Sequence, residues 1–175
     1  MTKLRRFIVL LLLTALAYLF QMVLFPLIPN LLCVPNFMLI VTVTSGLLFG
    51  RGTGIIMGVI AGLLSDLFGS GLPGFYILIY AWIGYLNGLL STKVESEIIP
   101  ALILFFTGNE ILLHLYSFAL SFLLRRSYDF GAYFTRVFLP ELLLSLVLFL
   151  IIYGILVFII RRFDLKLQKG EVTIV

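Results

Sequence analysis

Long apolar runs separated by short polar, glycine- or proline-containing joints constrain this chain more than any other feature. The first, FIVLLLLTALAYLFQMVLFPLI at 7–28, carries no charge. About 18 apolar residues suffice for a helix to cross the hydrocarbon core of a bilayer. Hydrophobic residues make up 62% of the 175 and charged residues only 11%. A water-soluble domain must present a largely polar exterior, and this composition does not supply one. The expected solvent is lipid, and the expected fold class is an all-α membrane protein with six transmembrane helices.

The runs fall at about 7–28, 35–49, 53–68, 73–90, 98–124 and 133–160, within a single multi-pass membrane domain covering 1–175. Gly50-Arg51-Gly52 separates the second from the third, and GSGLPG, STKVESE and RRSYDFG form later joints. Pro73 is placed to open the fourth helix, and Pro140 is expected to bend the sixth. Fifteen residues of helix reach about 22 Å, short of a hydrocarbon core of about 30 Å. The second and third runs could therefore thin the bilayer, extend into the joints or form a re-entrant hairpin.

Charge placement sets the expected orientation, since Lys and Arg accumulate on the cytoplasmic side. With the amino terminus inside and six crossings, Lys3, Arg5, Arg6, Arg51, Lys93, Arg161, Arg162, Lys166 and Lys169 face the cytoplasm, and Arg125, Arg126 and Arg136 face out. Both termini are then cytoplasmic. MTKLRRFIVLLLLTALAY resembles a cleavable signal peptide, but its apolar run continues past Ala17 to Ile28, so cleavage is not expected. The net charge of +4 comes from these helix-end anchors and not from a basic face on a polar scaffold, so no nucleic-acid partner is expected. Membrane lipid is the expected surrounding.

Gly46, Gly50, Gly54, Gly58 and Gly62 recur every fourth residue. On the third helix Gly54, Gly58, Ala61, Gly62 and Ser65 fall within an arc of roughly 100°. Gly84 and Gly88 form a second, shorter notch on the fourth. Helices in lipid associate by close backbone contact, which small residues permit. Two readings stand: packing against a helix of the same chain, or a groove for a helix of another protein. Asp66, at the edge of the stripe, either accepts hydrogen bonds from N–H groups of GSGLPG to cap the next helix, or contacts a partner or substrate.

Asn109, Glu110 and His114 form an expected intramembrane polar cluster on the fifth helix, with Glu110 and His114 four apart on one face. Interhelical hydrogen bonding, a ligand or proton role and a metal site compete for it. Two ligands are too few for a metal without help from another helix, so no metal site is assigned. Asn87 is read as interhelical glue, and Glu141 as a partner for Arg136. The lone Cys33 excludes an intrachain disulfide framework and reads as a small hydrophobe. No motif places a nucleophile beside His114, and no phosphate loop or Rossmann fingerprint is present. The expectation is a protein that is not an enzyme and has no cofactor.

The segment 35–90 resembles the bacterial rod shape-determining protein MreD family. The resemblance rests on PN at 35–36, LLFGRGTGIIMGVIAGLLSDLFGSGLPG at 47–74 and GYLNG at 84–88. Gly62, Leu63, Leu64 and Asp66 match the family's GLLxD block, while Asn36 stands where the family more often has Asp. The resemblance implies a bacterial inner-membrane scaffold that works beside the bitopic MreC-like protein and, indirectly, MreB-like, RodA-like and transpeptidase proteins in lateral peptidoglycan synthesis. It also implies a fold similar to the S components of energy-coupling-factor vitamin transporters. A small-molecule-binding subunit of that kind is the alternative reading, supported by the short, glycine-interrupted segments and the polar cluster.

Overall fold

The computed structural model describes residues 3–27, 33–68, 74–91, 99–123 and 130–171. The joints at 69–73, with Pro73, and at 92–98 lie outside them, as does most of RRSYDFG. The described residues are helical almost throughout, with no strand among them: α1 (Lys3–Leu19), α2 (Phe37–Phe49), α3 (Arg51–Phe68), α4 (Phe75–Leu90), α5 (Ile99–Leu123), α6 (Phe130–Tyr133) and α7 (Leu139–Glu171). Among the described residues, two stretches are long and apolar enough to cross a membrane, Ile99–Ala119 and Phe134–Ile159.

Two prolines shape the helical path. Pro26 and Pro140 each lack an N–H, and a proline within a helix opposes a regular turn before it. In both places the preceding turn widens to a π turn, Phe20–Leu24 before Pro26 and Phe134–Phe138 before Pro140. Phe25 N–H donates to the Phe20 carbonyl and Leu139 N–H to the Phe134 carbonyl, each five residues back. The expected bend at Pro140 thus takes the form of a π turn, and α6, the turn and α7 follow one another without a break. The last helix begins at Phe130 and continues to Glu171, well past the expected end at 160. Its apolarity stops at Arg161 but its helical backbone does not. The 33 residues of α7 would reach about 50 Å, more than a hydrocarbon core requires.

The glycine stripe explains the centre of the bundle. Only Gly50 joins α2 to α3, with φ +83°, a conformation that costs an L side chain strain. A Cβ built at Gly54 would lie 2.9 Å from the Gly46 Cα, so residues four before and four after the joint meet and the helices fold back as a hairpin. The α3–α4 contact is closer still. Added Cβ atoms would strike the Gly84 carbonyl from Gly54, the Tyr80 carbonyl from Gly58 and Ile77 Cα, at 2.5 Å, from Gly62. From the other side, Gly84 meets Gly54 and Gly88 meets Arg51. As the α3 number rises the α4 number falls, so the two helices are antiparallel with backbones in contact. The stripe is filled within the chain.

The burial pattern inverts that of a soluble protein. Thr14, Thr42, Asn87, Glu110 and Ser145 are fully inaccessible, while Leu104 is 71% and Leu115 65% exposed. α2 is central, with Leu39, Ile40 and Val43 fully buried, and Phe106 of α5 stacks on Phe149 of α7 at 4.4 Å. Polar groups inside and large aliphatic groups outside are what lipid demands.

Gly58→Ala is expected to lower stability by about 1–3 kcal/mol, because a methyl group must push the α3 and α4 backbones away from each other. Gly108→Ala, where nothing lies within 4 Å, is expected to be neutral or slightly stabilising. Thermal unfolding of both variants in the same detergent checks this; equal midpoints would show that the α3–α4 contact is loose.

Candidate functional site: a polar seam inside an apolar bundle

Three polar nodes run through the bundle, two of them fully satisfied. The first surrounds the start of α2. Asn36 stands immediately before an apolar helix, the position where a side-chain oxygen can accept from a free N–H of the first turn. Its Oδ1 accepts from Leu39 N–H at 3.1 Å and from the Tyr80 hydroxyl at 3.1 Å, while its own N–H donates to Ser145 Oγ at 2.9 Å. Gln21, inside the first π turn, accepts from Met38 N–H at 3.1 Å. One helix start is therefore tied to the π turn that follows α1, to α4 and to α7. None of these bonds requires a charge at position 36.

The second node joins α4 to α5. Asn87 donates to Asn109 Oδ1 at 2.9 Å, and Asn109 donates back to Asn87 Oδ1 at 3.1 Å. Each amide also donates within its own helix, Asn87 to the Ile83 carbonyl and Asn109 to the Phe105 carbonyl. Asn87 is interhelical glue, and Asn109 belongs with it instead of with Glu110 and His114.

The third node joins α5 to the start of α7. His114 Nε2 lies 3.7 Å from Glu110 Oε1 and 3.7 Å from Glu141 Oε2. Its Nδ1 shares a 2.9 Å hydrogen bond with the Tyr133 hydroxyl, and its ring packs edge-on against Phe138 at 4.9 Å. Glu141 therefore faces His114 across a helix boundary; no ion pair with Arg136 occurs among the described residues. Both Glu110 oxygens and His114 Nε2 are buried without a hydrogen-bond partner among the described residues, as is Thr44 Oγ1. One ligand atom from each of Glu110, His114 and Glu141 lies within 4.8 Å of the others. His114 and Glu141 also line a cavity of about 260 Å³, whose other polar walls include Gln21, Asn36, Ser65 and Tyr76.

Asp66 closes the same end of the bundle. Its Oδ2 accepts from Gly74 N–H and Ile77 N–H at 3.0 Å, and its Oδ1 accepts from Tyr76 N–H at 3.1 Å. A carboxylate against three N–H groups of a first turn satisfies otherwise free donors and complements the helix dipole. Its hydrogen bonds are thus intramolecular, and they fix where α4 starts relative to the end of α3. Gly54, Gly58, Ala61, Gly62, Gly84 and Gly88 lie at the α3–α4 contact or buried within α3.

The family profile of the rod shape-determining protein MreD matches residues 1–163. The chain belongs to the MreD family. No curated protein and no solved structure matches it. Its role lies in rod shape determination, and its family is one of membrane proteins with a structural rather than an enzymatic task.

Membership in the MreD family gives the polar seam its context but assigns no chemistry to its residues. Sequence reasoning passed over Tyr80, Ser145, Gln21 and Tyr133. A signal existed for Asn36: an Asn after a proline and before an apolar run is an N-cap pattern. Nothing in the sequence pairs Glu141 with His114, 27 residues away.

The reciprocal Asn87–Asn109 pair leads to a double-mutant test. Asn109→Leu strands the Asn87 amide in an apolar interior and is expected to cost about 1–3 kcal/mol. Adding Asn87→Leu removes the stranded group and is expected to recover some of that loss. Unfolding midpoints of the two single variants and the double variant measure the coupling; strict additivity would refute it.

Proposed function

We propose that the chain is a non-enzymatic, six-span scaffold of the bacterial inner membrane, with both termini cytoplasmic, that serves the cell-elongation machinery by binding an MreC-like bitopic partner. Through that partner it would act with MreB-like, RodA-like and transpeptidase proteins on lateral peptidoglycan synthesis. The observation that carries this reading is the family match over 1–163. The bias of Lys and Arg between the joints supports the orientation. With the glycine stripe taken up by α4, a partner helix must meet another face. The outward sides of α5 and α7, where Leu104, Leu115, Leu143 and Phe158 are exposed, offer broad apolar area for it.

A second reading is favoured by one observation, the cavity of about 260 Å³ walled by several polar side chains. A pocket of that kind suits a small polar molecule, as in the S component of a vitamin transporter.

Purification from native membranes in mild detergent, with identification of what co-purifies, separates the two. The scaffold reading expects an MreC-like protein and peptidoglycan-synthesis enzymes in the eluate. Recovery of an ATPase-driven transport module, with saturable thermal stabilisation by one vitamin, would replace it by the second reading.

A further inference from the structure

We propose that Glu110, His114 and Glu141 form a binding site for one divalent transition-metal ion, of the zinc or manganese class, that clamps α5 to the start of α7. The case begins with burial. Glu110 has no accessible surface, and neither of its oxygens has a hydrogen-bond partner among the described residues. Its Oε1 is aimed at His114 Nε2, which also lacks a hydrogen-bond partner, and Glu141 approaches the same nitrogen from the other helix. Ionised, Glu110 would place a charge in an apolar interior without a donor; protonated, it would leave an O–H without an acceptor. A divalent cation between the three groups resolves both problems and balances two carboxylates with its own charge.

The dimensions fit. Bonds of about 2.0–2.2 Å in tetrahedral geometry hold neighbouring ligand atoms about 3.3–3.6 Å apart. Nε2 lies 3.7 Å from each carboxylate and the three ligand atoms all fall within 4.8 Å of one another, so side-chain movements of about an ångström bring them to these separations. The imidazole is oriented as a metal ligand would be: Nδ1 is engaged by the Tyr133 hydroxyl, which leaves Nε2 directed at the carboxylates. A nitrogen ligand beside two carboxylates favours zinc or manganese over magnesium or calcium. The cavity shared by His114 and Glu141 offers room for water in the remaining coordination positions. It sits where α1, α3 and α5 approach their ends and α2, α4 and α7 begin, and on the proposed orientation this end faces outside the cell. The metal would then be drawn from the extracytoplasmic side. The site rests on these contacts alone and not on the scaffold reading.

Metal content and stability of the full-length protein in detergent test it. Elemental analysis after exposure to zinc and removal of excess is expected to give about one zinc per chain. A strong chelator is expected to lower the unfolding temperature by several degrees, and zinc or manganese, but not magnesium, to restore it. Glu110→Gln and Glu141→Gln are each expected to abolish stoichiometric zinc, and Tyr133→Phe to weaken zinc binding about 10–100-fold. Cobalt substitution reads the site in the wild-type chain even where a variant fails to fold: a visible absorption band with nitrogen and oxygen ligation is expected. Wild-type protein that takes up neither zinc nor cobalt, or Glu110→Gln and Glu141→Gln proteins that bind zinc as the wild type does, would overturn the proposal.

Discussion

Backbone contact between α3 and α4 holds the rest of the structure in place. In water, two helices would be driven together by the apolar surface they hide, and bulky side chains would strengthen the effect. In lipid that drive is absent, because acyl chains are as apolar as leucine, and attraction comes from closeness. Glycine at Gly54, Gly58, Gly62, Gly84 and Gly88 removes the side chains that would hold the helices apart. The consequences spread outward. The hairpin at Gly50 sets α2 on the same pair, with Gly46 against Gly84 and Asn87. Asn87 is thereby fixed on the side where α5 passes, and Asn109 can meet it. A stripe spent on this internal contact leaves no room for a second helix at the same face.

The polar residues obey a second constraint, that lipid offers no hydrogen bonds. Asn36, Asn87 and Asn109 each have two or more partners, and Thr14, Thr42 and Ser45 turn back to carbonyls of their own helices. Such pairing makes interior polar residues tolerable and fixes the register between helices. Besides the single hydroxyl of Thr44, the node of Glu110, His114 and Glu141 departs from the rule among the described residues. A chain that satisfies its neighbouring polar groups this thoroughly, yet leaves both oxygens of an interior carboxylate without a donor, has a use for them. That contrast within one bundle is stronger support for a ligand than the proximity of the three residues.

Different physical causes made different regions of the chain legible in sequence. The helices were legible because apolarity must persist wherever backbone crosses lipid. The end of α7 was not, because helical hydrogen bonding continues through Arg161 and Arg162 to Glu171 after the apolar run stops. The capping role of Asp66 could be read from an acid placed shortly before a glycine-rich joint and a new helix. The glycine stripe was legible as a contact but not as to its partner, since one spacing serves an internal and an external helix equally. Glu110 and His114 could be paired from their spacing on α5, whereas Glu141 was assigned to the nearest cation in sequence. Nearness along the chain is a poor guide when the ligand lies on another helix.

The π turn explains why that third residue was hidden. Tyr133 and Glu141 are eight positions apart, which on a regular α-helix leaves their side chains about 80° apart around the axis. One turn widened to five-residue hydrogen bonds absorbs an extra residue, so the same pair behaves as if about seven apart and returns to within about 20°. Both then address His114, Tyr133 at Nδ1 and Glu141 at Nε2. Pro140 supplies the cause, because its ring opposes a normal turn immediately before it. The earlier π turn before Pro26 carries Gln21, whose side chain reaches the start of α2. Proline in these helices therefore does more than interrupt hydrogen bonding: it changes the residue count per turn where polar side chains must be aimed inward, and this register is what a wheel drawn with a uniform period cannot reproduce.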